Sequence, residues 1–180
     1  MDEMTAPETQ GRPVVLAVIA FILASRGLAE RPGGQPEAGS IKGPAGIFVS
    51  RALGLALDKL RSSACLQIFA DFQGTGAASL DEILRERGET AEEYLRRMRF
   101  HDGSRHRLCI APGVSAVTRI GSLDVLVCGS FQAAARRDPA SAANVLIHEE
   151  LHSLGAGESP MPGLPTSEEI TARVALRCGR

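Results

Sequence analysis

The segment His148-Glu149-Glu150-Leu151-His152 sets two imidazoles four residues apart with a carboxylate directly after the first. On an α-helix, side chains so spaced project from one face, and both rings can reach a single metal ion at roughly 2.0–2.1 Å. Imidazole nitrogen is a favoured donor for zinc, and a zinc ion with an open position lowers the pKa of a bound water toward about 7. Glu149 is the next residue round the helix from His148 and precedes His152 by three. It flanks the pair, and can take the proton of such a water without ligating the metal. The chemistry these residues point to is attack of water on a carbonyl, with His148 and His152 as metal ligands and Glu149 as general base.

Catalytic zinc normally has three protein ligands and a water, so a third ligand is required. The chain continues Ser153-Leu154-Gly155-Ala156-Gly157-Glu158, which extends the string to HExxHxxGxxE. This string resembles the metzincin-type metallopeptidases, whose extended motif is HExxHxxGxx followed by His or Asp. In that family the glycine lets the chain turn sharply after the helix and brings the third ligand under the metal. The resemblance implies Glu158 as the third ligand, with Glu standing where the family has His or Asp. Glu168 and Glu169 offer a different arrangement, similar to that of gluzincins, in which a Glu on a following helix completes the site. Glu169 also has a reading without a metal: Thr166 and Glu169 form a capping-box pair, and Arg173 stands at i+4 from Glu169.

The same resemblance implies a Zn2+ cofactor, a peptide or protein substrate, and a zincin-like fold with a reduced C-terminal part. Metzincins carry a Met-turn beneath the metal. Met161, in Pro160-Met161-Pro162-Gly163, is either an early counterpart or an ordinary turn hydrophobe. Tyr94, His101 and His106 could each donate to a tetrahedral intermediate. Tyr94, however, has the helical spacing of a core or rim residue beside Leu95 and Met98, and the two histidines sit in a polar loop. A non-peptide amide is a second possible substrate. A rival from another class is a catalytically silent, zinc-stabilised binding module, which would close the site with a fourth protein ligand.

Several elements must hold these residues. Asp138-Pro139 makes an N-cap and first-turn pair, the chain to Leu154 has no breaker, and Gly155 suits the position after a helix end. Ile147, Leu151 and Leu154 form an apolar stripe beside the histidines, as a helix under a sheet requires. Apolar residues recur at helical spacing from Ile47 to Leu60. Cys65 to Phe72 (CLQIFADF) alternates and reads as a strand. Ser79 with Glu82, and Thr90 with Glu93, are capping boxes that start two further helices. Arg107–Ala111, Val114–Ile120 and Leu123–Cys128 are short, apolar or alternating, and read as strands. The expected fold is α+β, a small, mainly antiparallel sheet packed on the HExxH helix.

The 180 residues suffice for one domain with a sizeable core. Twenty basic residues against 21 acidic ones, a net charge of −1, argue against a nucleic-acid partner, which usually meets a basic stripe. Val14–Ser25 (VVLAVIAFILAS) is almost wholly apolar, yet as a helix it spans only about 16–18 Å of a roughly 30 Å bilayer core. With Gly27-Leu28-Ala29 after it, residues 1–29 read as a signal peptide, leaving no stable membrane span in the mature chain. Residues 30–46, rich in Gly and Pro, read as a flexible linker, and 47–180 as the metallopeptidase domain. Cys65, Cys109, Cys128 and Cys178 all follow the signal and allow three pairings. Together these features place the protein outside the cytoplasm, secreted or periplasmic.

Overall fold

Among the described residues of the computed structural model, 41, 44–160 and 162–179, eight helices and three short strands follow one another. The helices are α1 (Pro44–Lys59), α2 (Ser63–Leu66), α3 (Ile68–Asp71), α4 (Leu80–Arg87), α5 (Ala91–Arg97), α6 (Gly129–Arg137), α7 (Pro139–Leu154) and α8 (Ser167–Cys178). The strands are β1 (Arg99–Asp102), β2 (Ala116–Thr118) and β3 (Asp124–Val127). The expected signal segment, most of the expected linker and Met161 lie outside the described residues. Pro44–Gly46, assigned to the linker from sequence, form the first turn of α1.

The fold is built round α7. Asp138 caps it, its Oδ1 accepting from the amides of Ala140 (3.1 Å) and Ser141 (3.0 Å), with Pro139 in the first turn. From Leu146 to Leu154 every residue of α7 is buried, polar ones included. A helix enclosed on all sides must be apolar or must use its polar groups. α1, α6, α8 and β2 pack round it. On α1 the buried positions are Ala45, Val49, Ala52, Ala56 and Leu57, a helical stripe that Leu60 continues just past the helix, with Phe48, Leu53 and Leu55 half-buried beside it. Small residues on α1 (Ala52, Ala56) and α7 (Ala142, Ala143) are wholly buried, which lets neighbouring helices approach closely.

The architecture is α+β, as expected, but the sheet is mixed. Its order is β1-β3-β2: β1 runs parallel to β3 (Phe100 beside Val125) and β2 antiparallel to it (Val117 beside Leu126). A parallel pair needs a long crossover, and residues 103–123 supply it. Two further expectations are corrected. CLQIFADF is not a strand but the short helices α2 and α3. Its buried residues are Cys65, Ile68 and Phe69, at helical spacing, while Leu66 is 42% exposed. Arg107–Ala111 is not a strand either: Arg107–Cys109 forms a 3-10 turn with Leu108 and Ile110 facing outward. β1 and α6, both short, had no assignment from sequence.

Two disulfides, Cys65–Cys178 and Cys109–Cys128, use all four cysteines. That fits a protein of an oxidising, extracellular-type compartment. No helix among the described residues is long and apolar enough to cross a membrane. Cys65–Cys178 fastens α8 to α2, where Arg177 also grips Asp71 with two bonds (2.8 and 2.9 Å) and Lys59 Nζ donates to the carbonyls of Cys178 (3.0 Å) and Gly179 (2.8 Å). The two bridges span 113 and 19 residues. Loop entropy gives them about 4–5 and about 3 kcal/mol respectively. Replacing Cys65 and Cys178 by Ser should therefore lower the denaturant midpoint more than replacing Cys109 and Cys128; the reverse order would contradict this anchoring role.

Candidate functional site

The two histidines meet. On consecutive turns of α7, His148 Nε2 and His152 Nε2 stand 2.9 Å apart, with ring centroids at 4.8 Å and planes at 65°. Each side chain is nearly enclosed, with 6% of the residue exposed. Their outer nitrogens are held from behind. His152 Nδ1 lies 2.8 Å from the carbonyl oxygen of Ala156, which can only accept, so Nδ1 carries a proton and the neutral ring has its lone pair on Nε2. His148 Nδ1 lies 3.0 Å from Thr171 Oγ1, on α8. The hydroxyl can donate or accept, so either nitrogen of His148 can carry its proton. Burial, reinforced by the neighbouring His152, pushes the His148 pKa down to about 3, and the ring is neutral at pH 7.

Glu158 joins them. Its Oε2 is 3.4 Å from His152 Nε2 and 3.9 Å from His148 Nε2, and has no hydrogen bond. One ligand atom from each of the three residues falls within 4.8 Å of the others. Gly155 makes this return possible. Its φ is +125°, a backbone conformation that L side chains rarely adopt, so a side chain is disfavoured there. The turn both aims the Ala156 carbonyl at His152 and sends Glu158 back across the pair.

Glu149 lies beside this group, 5% exposed, with Oε2 unpartnered. Burial pushes its pKa up to about 7; Thr118 and His152 pull it down and the Glu158 charge pushes it up. Thr118 is close enough to act electrostatically, yet its Oγ1 has no hydrogen bond of normal geometry. Glu150 points elsewhere. It is fully buried with neither oxygen hydrogen-bonded, and burial alone raises its pKa well above the usual carboxylate range.

His148, Glu149, His152 and Glu158 all line one cavity of about 540 Å³, with β2 on its wall and Glu168 at the start of α8. Glu169 is engaged elsewhere, its Oε2 accepting from Thr166 N at 2.7 Å in the capping box of α8. Tyr94 is buried in the core, its hydroxyl 3.0 Å from both the carbonyl and the hydroxyl of Ser153. Ser153 Oγ donates to Ser122 O (2.6 Å), and Gly121 N donates to His152 O (3.1 Å), so the end of α7 is tied to the β2–β3 connection. His101 pairs with Asp124 at 2.8 Å, and His106 caps the 3-10 turn. Neither histidine lines the cavity.

No protein-family model, curated protein or solved structure matches the chain. The metzincin-type resemblance therefore stands on the motif residues 148–158 alone, and the overall fold lends no support to a zincin-like architecture. Sequence reasoning missed Thr171, Thr118 and the Ala156 carbonyl. Nothing in their spacing marks them; they reach the site through tertiary packing.

Donor chemistry bears on what the group can hold. A tetrahedral zinc with bonds of about 2.0–2.2 Å separates its donors by about 3.3 Å. The observed 2.9, 3.4 and 3.9 Å bracket that value. Two neutral imidazole nitrogens and a carboxylate oxygen are the donors zinc takes, both rings have partners behind them, and the residues present fit the ion. Glu150, by contrast, has no hydrogen-bond partner among the described residues to offset its burial. Glu150→Met should raise stability by about 1–3 kcal/mol, read as a higher midpoint in urea. An unchanged or lower midpoint would show that the carboxyl has a stabilising role.

Proposed function

We propose that the chain is a zinc-dependent hydrolase of peptide bonds, with His148, His152 and Glu158 holding the metal and Glu149 as general base. One observation carries this reading: three donor atoms converge beside a buried, unpartnered carboxylate on the wall of a single cavity. When bound, zinc supplies a Lewis acid and lowers the pKa of a water toward about 7. Glu149 Oε2 receives the proton of the attacking water and returns it to the departing amine nitrogen. With the ion bound, Thr171 Oγ1 and the Ala156 carbonyl would accept from the two Nδ1–H groups and leave both Nε2 lone pairs for it. A peptide substrate is favoured by β2. It is an edge strand, paired with β3 on one side, and Ala116, Val117 and Thr118 line the cavity, so an extended chain can add along it.

The silent zinc module is less favoured because a closed site needs a fourth ligand. Among the described residues the metal-binding group comprises only His148, His152 and Glu158.

Purified full-length chain should retain one zinc per molecule and cut unstructured protein in a chelator-sensitive manner. Glu149→Gln should keep the zinc and lose about 10²–10⁴ in kcat. His152→Ala should lose the metal. Thr171→Val should weaken zinc about tenfold or more in a chelator competition, with little change in metal-free melting. Bound zinc without cleavage by the unaltered chain would favour the binding module; absence of zinc binding would remove both readings.

A further inference from the structure

Resting on the hydrolase reading above, we infer that the preferred substrates carry lysine or arginine beside the scissile bond, and that Glu168 selects them. Three carboxylates line the cavity, Glu149, Glu158 and Glu168, and no Lys or Arg among the described residues does. Two have roles in the hydrolase, as ligand and base. Glu168 is left over. It makes no hydrogen bond or ion pair with any described residue, whereas its neighbour Glu169 is spent on the helix cap.

Its placement is set by α8. Thr171 touches His148 Nδ1 at 3.0 Å, which fixes the face of α8 that meets the site. Glu168 stands three residues earlier, on the same face and one turn nearer the N-terminus. That the cavity is built for a ligand is indicated independently by Glu149, a residue of its wall whose buried Oε2 has no hydrogen bond among the described residues.

The remaining wall suits the rest of a basic side chain. Leu108, Pro112, Val114, Val117 and Val145 contribute apolar surface, and Leu108 is 49% exposed. Lys and Arg lay their methylene stems along such surface while the charged head seeks a carboxylate. A neutral apolar side chain would gain the first contact and not the second. An acidic one would meet an uncompensated like charge.

The test compares peptides identical except for Lys, norleucine or Glu at positions flanking the cut, located first with a randomised peptide mixture and the zinc-loaded full chain. Wild-type kcat/KM should favour Lys over norleucine by about tenfold or more, and the ratio should shrink when salt is raised to about 0.5 M. Glu168→Gln should bring the ratio to within about twofold of one, and Glu168→Lys should turn the preference toward Glu. Affinity of the same peptides for zinc-loaded Glu149→Gln, by fluorescence anisotropy, gives a readout that needs no turnover. Chelator-sensitive cleavage with no basic preference, or a ratio that survives Glu168→Gln, overturns the inference and leaves the hydrolase standing. Tighter binding of the Lys peptide, abolished by adding Glu168→Gln, upholds the selection by Glu168; equal binding of both peptides overturns it.

Discussion

Two imidazole nitrogens held 2.9 Å apart inside a packed helix set the terms for the rest of the molecule. If both Nε2 atoms carried lone pairs with nothing between them, they would repel in a medium too dry to screen them. A proton shared between the rings resolves the conflict, and so does a metal ion. The two solutions differ at Thr171. A proton on His148 Nε2 requires the Thr171 hydroxyl to donate, while a metal at Nε2 requires Nδ1–H to donate to Thr171. The hydroxyl can turn to serve either. The carbonyl of Ala156 cannot, so the neutral His152 ring is fixed in one tautomer with its lone pair on Nε2. The approach of Glu158 Oε2, itself without a hydrogen bond, adds negative charge to the same point and favours the cation.

Keeping that geometry requires that α7 neither slide nor rotate. Its start is fixed by the Asp138 cap, and its end by Tyr94 and Ser122 acting through Ser153. Gly121 N holds the carbonyl of His152 itself. α8 then sets Thr171 against His148, and the Cys65–Cys178 bridge, Lys59 and Asp71 anchor the far end of α8. Thr171 lines the cavity, and the other supports lie outside it. The arrangement is a central helix gripped at both ends, with a short sheet closing one side.

What was legible in the chain follows from this division. Capping signals are local, so Ser79–Glu82, Thr90–Glu93, Asp138-Pro139 and Thr166–Glu169 each begin a helix where the sequence places it. Gly155 was legible too, because a tight return after a helix needs a positive φ. Glu158 was separable from Glu169 because the capping box already accounted for Glu169. The misread segments share one cause. CLQIFADF satisfies alternation and helical spacing at once, and only the surface it meets decides between them. In Arg107–Ala111 apolar residues suggested a strand, but a disulfide to Cys128 pins the segment while Leu108 and Ile110 face outward. The parallel pairing of β1 with β3 depends on a crossover that no local pattern records.

Glu149 and Glu150 show how much of the site is a matter of facing. They are adjacent, both enclosed, and both pushed upward in pKa by burial. One lines a cavity beside Thr118, His152 and Glu158; the other has no hydrogen-bond partner among the described residues. A helix advances about 100° per residue, so a buried helix that turns one carboxylate toward a cavity must turn its neighbour into packing. Sequence alone gives the two residues equal standing except through the motif, and the surroundings of α7 separate them. The same full enclosure that makes Glu150 costly strips water from Glu149, and a carboxylate without hydration is a stronger base toward any proton donor placed against it.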